Sequence, residues 1–125
     1  MKYSFVLQGE TPSKKNSRRT LRNGKTIPSA RFMAWHDDSV FFLKRQVCPE
    51  APVNSAVFVK MIFYHGDYSR RDSDNSATSI LDLLKDAEII EDDNWKIIRR
   101  IYVENRYDKN NARCEIFLYD YTGKD

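Results

Sequence analysis

The chain has 125 residues, a formal net charge of +3 at neutral pH, 41% hydrophobic and 31% charged residues, which suits one domain with one hydrophobic core and is too short for two. No stretch approaches the roughly 18 consecutive apolar residues of a spanning helix, so no membrane partner is expected, and the first ten residues lack the regions of a secretory signal, which predicts a cytoplasmic location. Cys48 and Cys114 have no Cys or His neighbour at zinc-ligand spacing, so both are expected to be reduced structural thiols.

Tyr3, Phe5 and Leu7 alternate with polar residues, the period of a half-buried strand that runs into Gly9 and Pro12. Residues 13–25, SKKNSRRTLRNGK, are polar and basic, with a turn signal at Asn23-Gly24 between possible short hairpin arms. Ser29 is a candidate N-cap for a first helix in which Phe32, His36, Val40, Leu43 and Val47 recur at helical spacing, with Pro49 as its stop. Residues 57–64, rich in β-branched and aromatic side chains, predict a buried strand. A second, amphipathic helix is expected over residues 76–87, with Ile80, Leu83, Leu84 and Ala87 on one face and Asp74, Asn75 or Ser76 as its cap. After the acidic turn Glu91, Asp92, Asp93, two more strands are predicted over 97–103 and 113–119, joined through 107–111. This order predicts an α+β fold, a single domain over 1–125 with a mixed β-sheet and two main helices packed on it.

The strongest local feature is RRDSDN, residues 70–75, between a long apolar strand and a helix. In extended backbone Asp72 and Asp74 would point the same way. Two such charges about 4 Å apart repel by roughly 4 kcal/mol at an effective dielectric of 20, which a divalent cation would offset. Oxygen-only ligands favour Mg²⁺, with Mn²⁺ possible, over zinc. The turn at 91–93 could bring Asp92 or Asp93 back to the same place across a short helix. Equally, acidic pairs at helix starts serve as caps and complement the helix dipole. Spacing does exclude an EF-hand, whose sixth and twelfth positions counted from Asp72 fall on Ala77 and Leu83, and His36 and His65, standing alone, read as structural histidines.

Taken together, RRDSDNSATSILDLLKDAEIIEDDNW, the earlier Gly9, Pro12, Ser13 and Asn16, and Pro28-Ser29 with Trp35 resemble the RusA family of Holliday junction resolvases over roughly residues 9–98. The resemblance implies a RusA-like fold, a structure-specific, metal-dependent endodeoxyribonuclease of recombination and repair, and Asp72, Asp74 and Asp93 as catalytic magnesium ligands, with Asn75 and Asp92 supporting them. It also implies a homodimer, which a two-fold symmetric four-way junction itself favours; the apolar first helix is a candidate interface. One departure is Thr78, where the family commonly has a catalytic lysine. Lys85, Lys14 and Lys15 are candidate substitutes, and a catalytically weakened junction-binding protein is the alternative reading.

The expected partner is branched DNA. Lys14, Lys15, Asn16, Arg18, Arg19, Arg22 and Lys25 form a basic segment able to displace counterions from phosphates, and Arg70 and Arg71 add positive charge beside the acidic site.

Overall fold

Five of the nine residues of the segment Val57–His65 are buried, and everything else is arranged around it. The computed structural model describes residues 2–13 and 18–123; Lys14, Lys15 and Asn16, expected to meet DNA, lie outside them. In chain order the elements are β1 (Lys2–Gln8), β2 (Arg18–Thr20), β3 (Thr26–Pro28), α1 (Ala30–Lys44), β4 (Val57–His65), α2 (Ser73–Asp86), β5 (Ile98–Tyr107) and β6 (Arg113–Asp120).

The main sheet is mixed, with order β1-β6-β4-β5. Strand β6 runs antiparallel to both β1 and β4, whereas β4 and β5 are parallel, with Phe58 opposite Arg100 and His65 opposite Tyr107. A parallel pair needs a crossover, and α2 supplies it. One face of the sheet contributes Phe5, Leu7, Val59, Met61, Phe63, Ile116 and Leu118 to the core, against Leu43 of α1 and Ile80, Leu83 and Leu84 of α2. The α+β expectation therefore holds, and among the described residues no helix is long and apolar enough to cross a membrane.

The separate pair β2 and β3 is the small hairpin foreseen around Asn23-Gly24, with Arg19 opposite Ile27. Gly24 takes a positive φ of 83°, and the Asn23 carboxamide oxygen accepts from the Lys25 N–H at 3.0 Å. A left-handed turn residue is what Gly tolerates at no steric cost.

Helix α1 begins as expected: the Ser29 hydroxyl oxygen accepts from the Phe32 N–H at 3.1 Å. It ends at Lys44, five residues before Pro49, and Val47, expected on its buried stripe, lies past that end and is 80% exposed. Buried in its place is Ser39, while Phe41 and Phe42 stay exposed in edge-to-face contact. His36 joins the two helices, bonding Asp86 of α2 at 2.7 Å and Asp37 at 3.0 Å. Burial pushes its pKa down, but those two carboxylates outweigh burial and hold it above 6.5. The thiols are free, Cys48 half-buried and Cys114 buried, and burial pushes both up.

Candidate functional site

Helix α2 starts three residues earlier than periodicity suggested. Its N-cap is Asp72, in extended conformation with φ −93° and ψ 123°, and Asp74 already stands in the first helical turn. The picture of two carboxylates on one side of an extended strand is thereby corrected, because only Asp72 is extended. The reason is local: the first four amides of a helix lack intrahelical partners, so acidic and hydroxyl residues suit the first turn as well as the cap.

The capping alternative can be tested in the same place. Ser29 caps α1 through its side chain, but the Asp72 carboxylate makes no cap hydrogen bond to α2. It stands exposed beside Arg70, 3.8 Å from the guanidinium Nε. Asp72 lines a cleft of about 790 Å³, together with Glu10, Arg31, Trp35, Arg70 and Arg71. Two of the expected DNA contacts, Arg70 and Arg71, therefore share that cleft. Arg18, Arg19, Arg22 and Lys25 are all exposed on or beside a hairpin whose chain leaves the cleft at Ser13 and returns to it at Arg31.

Sequence reasoning missed the network that holds this loop. The Glu10 carboxylate accepts from the Gly66 N–H at 2.9 Å, bonds His65 Nδ1 at 2.9 Å and pairs with Arg71 Nε at 3.2 Å. The other His65 nitrogen meets Asn105 Oδ1 at 2.8 Å, and Asn105 Nδ2 donates to the hydroxyl of Ser73, the residue between the two aspartates, at 2.9 Å. Asp67 adds a second tie to Arg71 at 2.9 Å. The Ser69 N–H, reinforced by Arg71, lowers the Asp67 pKa from 3.8 to about 2. His65, isolated in sequence, is thus the junction between β1, β5 and the acidic loop. Glu10 lies 55 residues from it, and only the pairing of β1 with β6 and of β6 with β4 brings them together.

Ser79 Oγ donates to the carbonyl of Pro12 at 2.8 Å and so ties α2 to the loop after Gly9. Gly9 itself needs its positive φ of 89° there, where its N–H donates to the Ala112 carbonyl at 2.8 Å. Asn75 is half-buried, and its backbone carbonyl accepts from Ser79 at 3.2 Å.

The second acidic turn is elsewhere. A 14-residue helix rises roughly 20 Å, and α2 runs from the Tyr107 end of β5, where Ser73 meets Asn105, back to its Ile98 end. Asp92 and Asp93 lie at that far end, in a turn that donates from the Asp93 N–H and Asn94 Nδ2 to the Asp92 carboxylate, each at 2.8 Å. Lys85 of the last helical turn pairs with Asp92 at 3.3 Å. Asn94, the Asp93 N–H and Lys85, in that order, lower the Asp92 pKa from 3.8 to about 2. The expected convergence within one chain fails because a crossover helix separates its own ends by its length. Among the described residues no three His, Cys, Asp or Glu side chains stand close enough together to hold a metal ion.

Of the three candidate substitutes for the missing lysine, only Lys85 falls among the described residues. Thr78 donates its hydroxyl to the Asp74 carbonyl at 2.9 Å, and Lys85, seven residues further along α2, is occupied with Asp92 at the wrong end. Lys14 and Lys15 lie outside the described residues.

The family model of endodeoxyribonuclease RusA matches residues 9–119. Among the curated proteins nothing matches the chain.

Proposed function

The chain belongs to the RusA family of endodeoxyribonucleases, resolvases that act on branched DNA junctions, and from that membership we propose a metal-dependent cut of four-way junctions at Asp72, Asp74 and Asp93. The observation that carries the reading is Asp72, an N-cap residue whose carboxylate is left unused by its own helix and turned over to a cleft rimmed by arginines. A hard divalent ion, Mg²⁺ or Mn²⁺, would stabilise the charge that develops on the phosphoryl oxygens and lower the pKa of a bound water.

Because α2 separates its ends, the third carboxylate comes from a second copy. A two-fold axis lying across α2 sets the Asp93 turn of one protomer against the Asp72 and Asp74 loop of the other, and the same operation makes two such sites. That pairing matches the two strands a junction must have cut, so the homodimer and the chemistry belong to one proposal. The exposed Phe41 and Phe42 of α1 offer apolar surface for contact between copies. Arg70, Arg71 and Arg31 hold phosphates at the cleft, and Arg18, Arg19, Arg22 and Lys25 extend that contact along a DNA arm. Asp92 and Asn75 act as supports: Asp92 shapes the turn that presents Asp93, and Asn75 belongs to the turn that presents Asp74. Such a protein works in the cytoplasm, where its DNA is.

A second reading, binding with weakened catalysis, is favoured by Thr78, whose hydroxyl is turned to the helix backbone where a cation would serve the phosphate.

Subunit mixing tests the reading. Asp74→Asn and Asp93→Asn are each expected to bind a four-way junction and cut nothing in Mg²⁺. Mixed and re-equilibrated, they pair at random, and roughly a quarter of the wild-type sites are restored as single-strand nicks, because one site of each mixed dimer has no substitution. Undiminished cutting by either variant alone would refute the ligand assignment. Inert variants whose mixture stays inert would refute the shared site, and an inert wild type that binds tightly would leave the weakened reading in force.

A further inference from the structure

Beside the cleft lies a second groove of about 460 Å³, whose lining includes Tyr68, Asn105, Arg106 and Tyr107 and which shares Asp67 and Arg71 with the cleft itself. Its floor is a pair of tyrosines. The Tyr68 and Tyr107 rings stack at 4.5 Å between centroids and 13° from parallel, yet Tyr68 is 84% exposed and Tyr107 46%. A large ring left in water with one face covered gains little for folding. Tyr68 is nevertheless held in place, because the loop on either side is fixed by Asp67 accepting from the Ser69 N–H at 2.9 Å and pairing with Arg71.

We propose that Tyr68, backed by Tyr107, is a stacking site for an unpaired nucleobase of the branched DNA, next to the strand that is cut. A fixed, exposed aromatic stack is the surface on which single bases bind, and stacking accepts any base because every base has a π-face. The hydrogen-bonding groups around it are already engaged. Asn105 is used by His65 and Ser73, Arg71 by Asp67 and Glu10, and Arg106 by Glu104 and the Tyr64 hydroxyl. Base-edge readout therefore has few free partners, and the site distinguishes an unstacked base from a paired one without reading its identity. In a linear duplex every base is paired and stacked; at a branch point bases can be displaced. Only three residues lie between Tyr68 and Asp72, and the groove and the cleft share Asp67 and Arg71, so a strand with its phosphate in the cleft would place a neighbouring base in this groove. The site thus deepens the junction-cutting function proposed above and rests on it, as the feature that favours branched over linear DNA.

The test uses the full chain and a four-way junction with 2-aminopurine at the branch point, in buffer without divalent metal so that binding is read apart from cutting. Stacking on Tyr68 is expected to quench the fluorescence, with Tyr68→Phe keeping the quench and Tyr68→Ala losing it. Tyr68→Ala should weaken junction binding by roughly five- to a hundredfold, the range for one base on one ring, and leave linear duplex binding and the thermal midpoint unchanged. Quenching and affinity unaltered in Tyr68→Ala, an equal loss on junction and duplex, or a change of oligomeric state in place of a change in quenching would each overturn the stacking site while the nuclease reading stands. A wild type that neither binds nor cuts the junction would overturn both.

Discussion

The two ends of α2 carry the same chemistry, a pair of aspartates, and are built in opposite ways. At the N-terminal end the loop is held by groups brought from far along the chain: Glu10 to His65 and Gly66, Asn105 to Ser73, and the Pro12 carbonyl to Ser79. At the C-terminal end the turn is largely its own support, through Asp92, Asn94 and Lys85, with the Val53 strand segment closing it by exchanging hydrogen bonds with Ile89 and Glu91. A loop tied to several elements holds its side chains in fixed positions, whereas a self-contained turn can be presented to another molecule without rearranging the fold. That contrast is why the first end reads as the fixed half of a site and the second as the half that is lent.

The contrast can be broken most severely through the network. Glu10→Ala removes three contacts at once and is expected to lower the junction-cutting rate by about 10- to 100-fold, as loss of supporting residues commonly does, with KM little changed. Glu10→Gln, which keeps an acceptor for the Gly66 N–H, should recover part of the loss. If KM rises while kcat holds, Glu10 acts on DNA binding and the supporting role is wrong. Asn94→Ala at the other end, in the same assay, should cost less than about tenfold, because the Val53 bridge still holds the turn.

Next in size is Thr78. Thr78→Lys sits on the exposed side of the first turns of α2 and is expected to raise the cutting rate about tenfold by adding a cation near the developing charge. An unchanged rate would mean that this chain has no need of the lysine.

The smallest effect compares the two ends by pH. Asp67 and Asp92 are both depressed from 3.8 to about 2, so the stabilisation each provides is present above pH 3.8 and lost as pH falls through about 2. Thermal midpoints measured from pH 5 down to pH 2 should fall less steeply in Asp67→Asn and in Asp92→Asn than in the wild type. A variant whose acid limb is as steep as the wild type's would show that its carboxylate is not held in this way.

Much of this was legible in residue order. Every expected strand formed, as did the Asn23-Gly24 hairpin and the Ser29 cap, because alternation, turn chemistry and capping act over a few residues. The errors have physical causes. Periodicity puts Val47 on α1 because it does not see where the last turn ends, and it starts α2 late because the polar run 73–76 carries no apolar signal. Glu10 and His65 carry no local signal, since Glu10 lies 55 residues from His65 and a lone histidine shows no partner in its own stretch of sequence.

By itself, then, the order of residues determined the elements, the acidic motif and its family, all matters of short-range pattern and joint spacing. Only the tertiary structure decided which groups meet. The parallel pairing of β4 with β5 makes α2 a crossover, and a helix is rigid, so its length keeps Asp93 away from Asp72 and Asp74 however the motif is spaced. The same sheet, by joining β1 to β4 through β6, brings Glu10 to His65 and gives the acidic loop the support that its own sequence lacks.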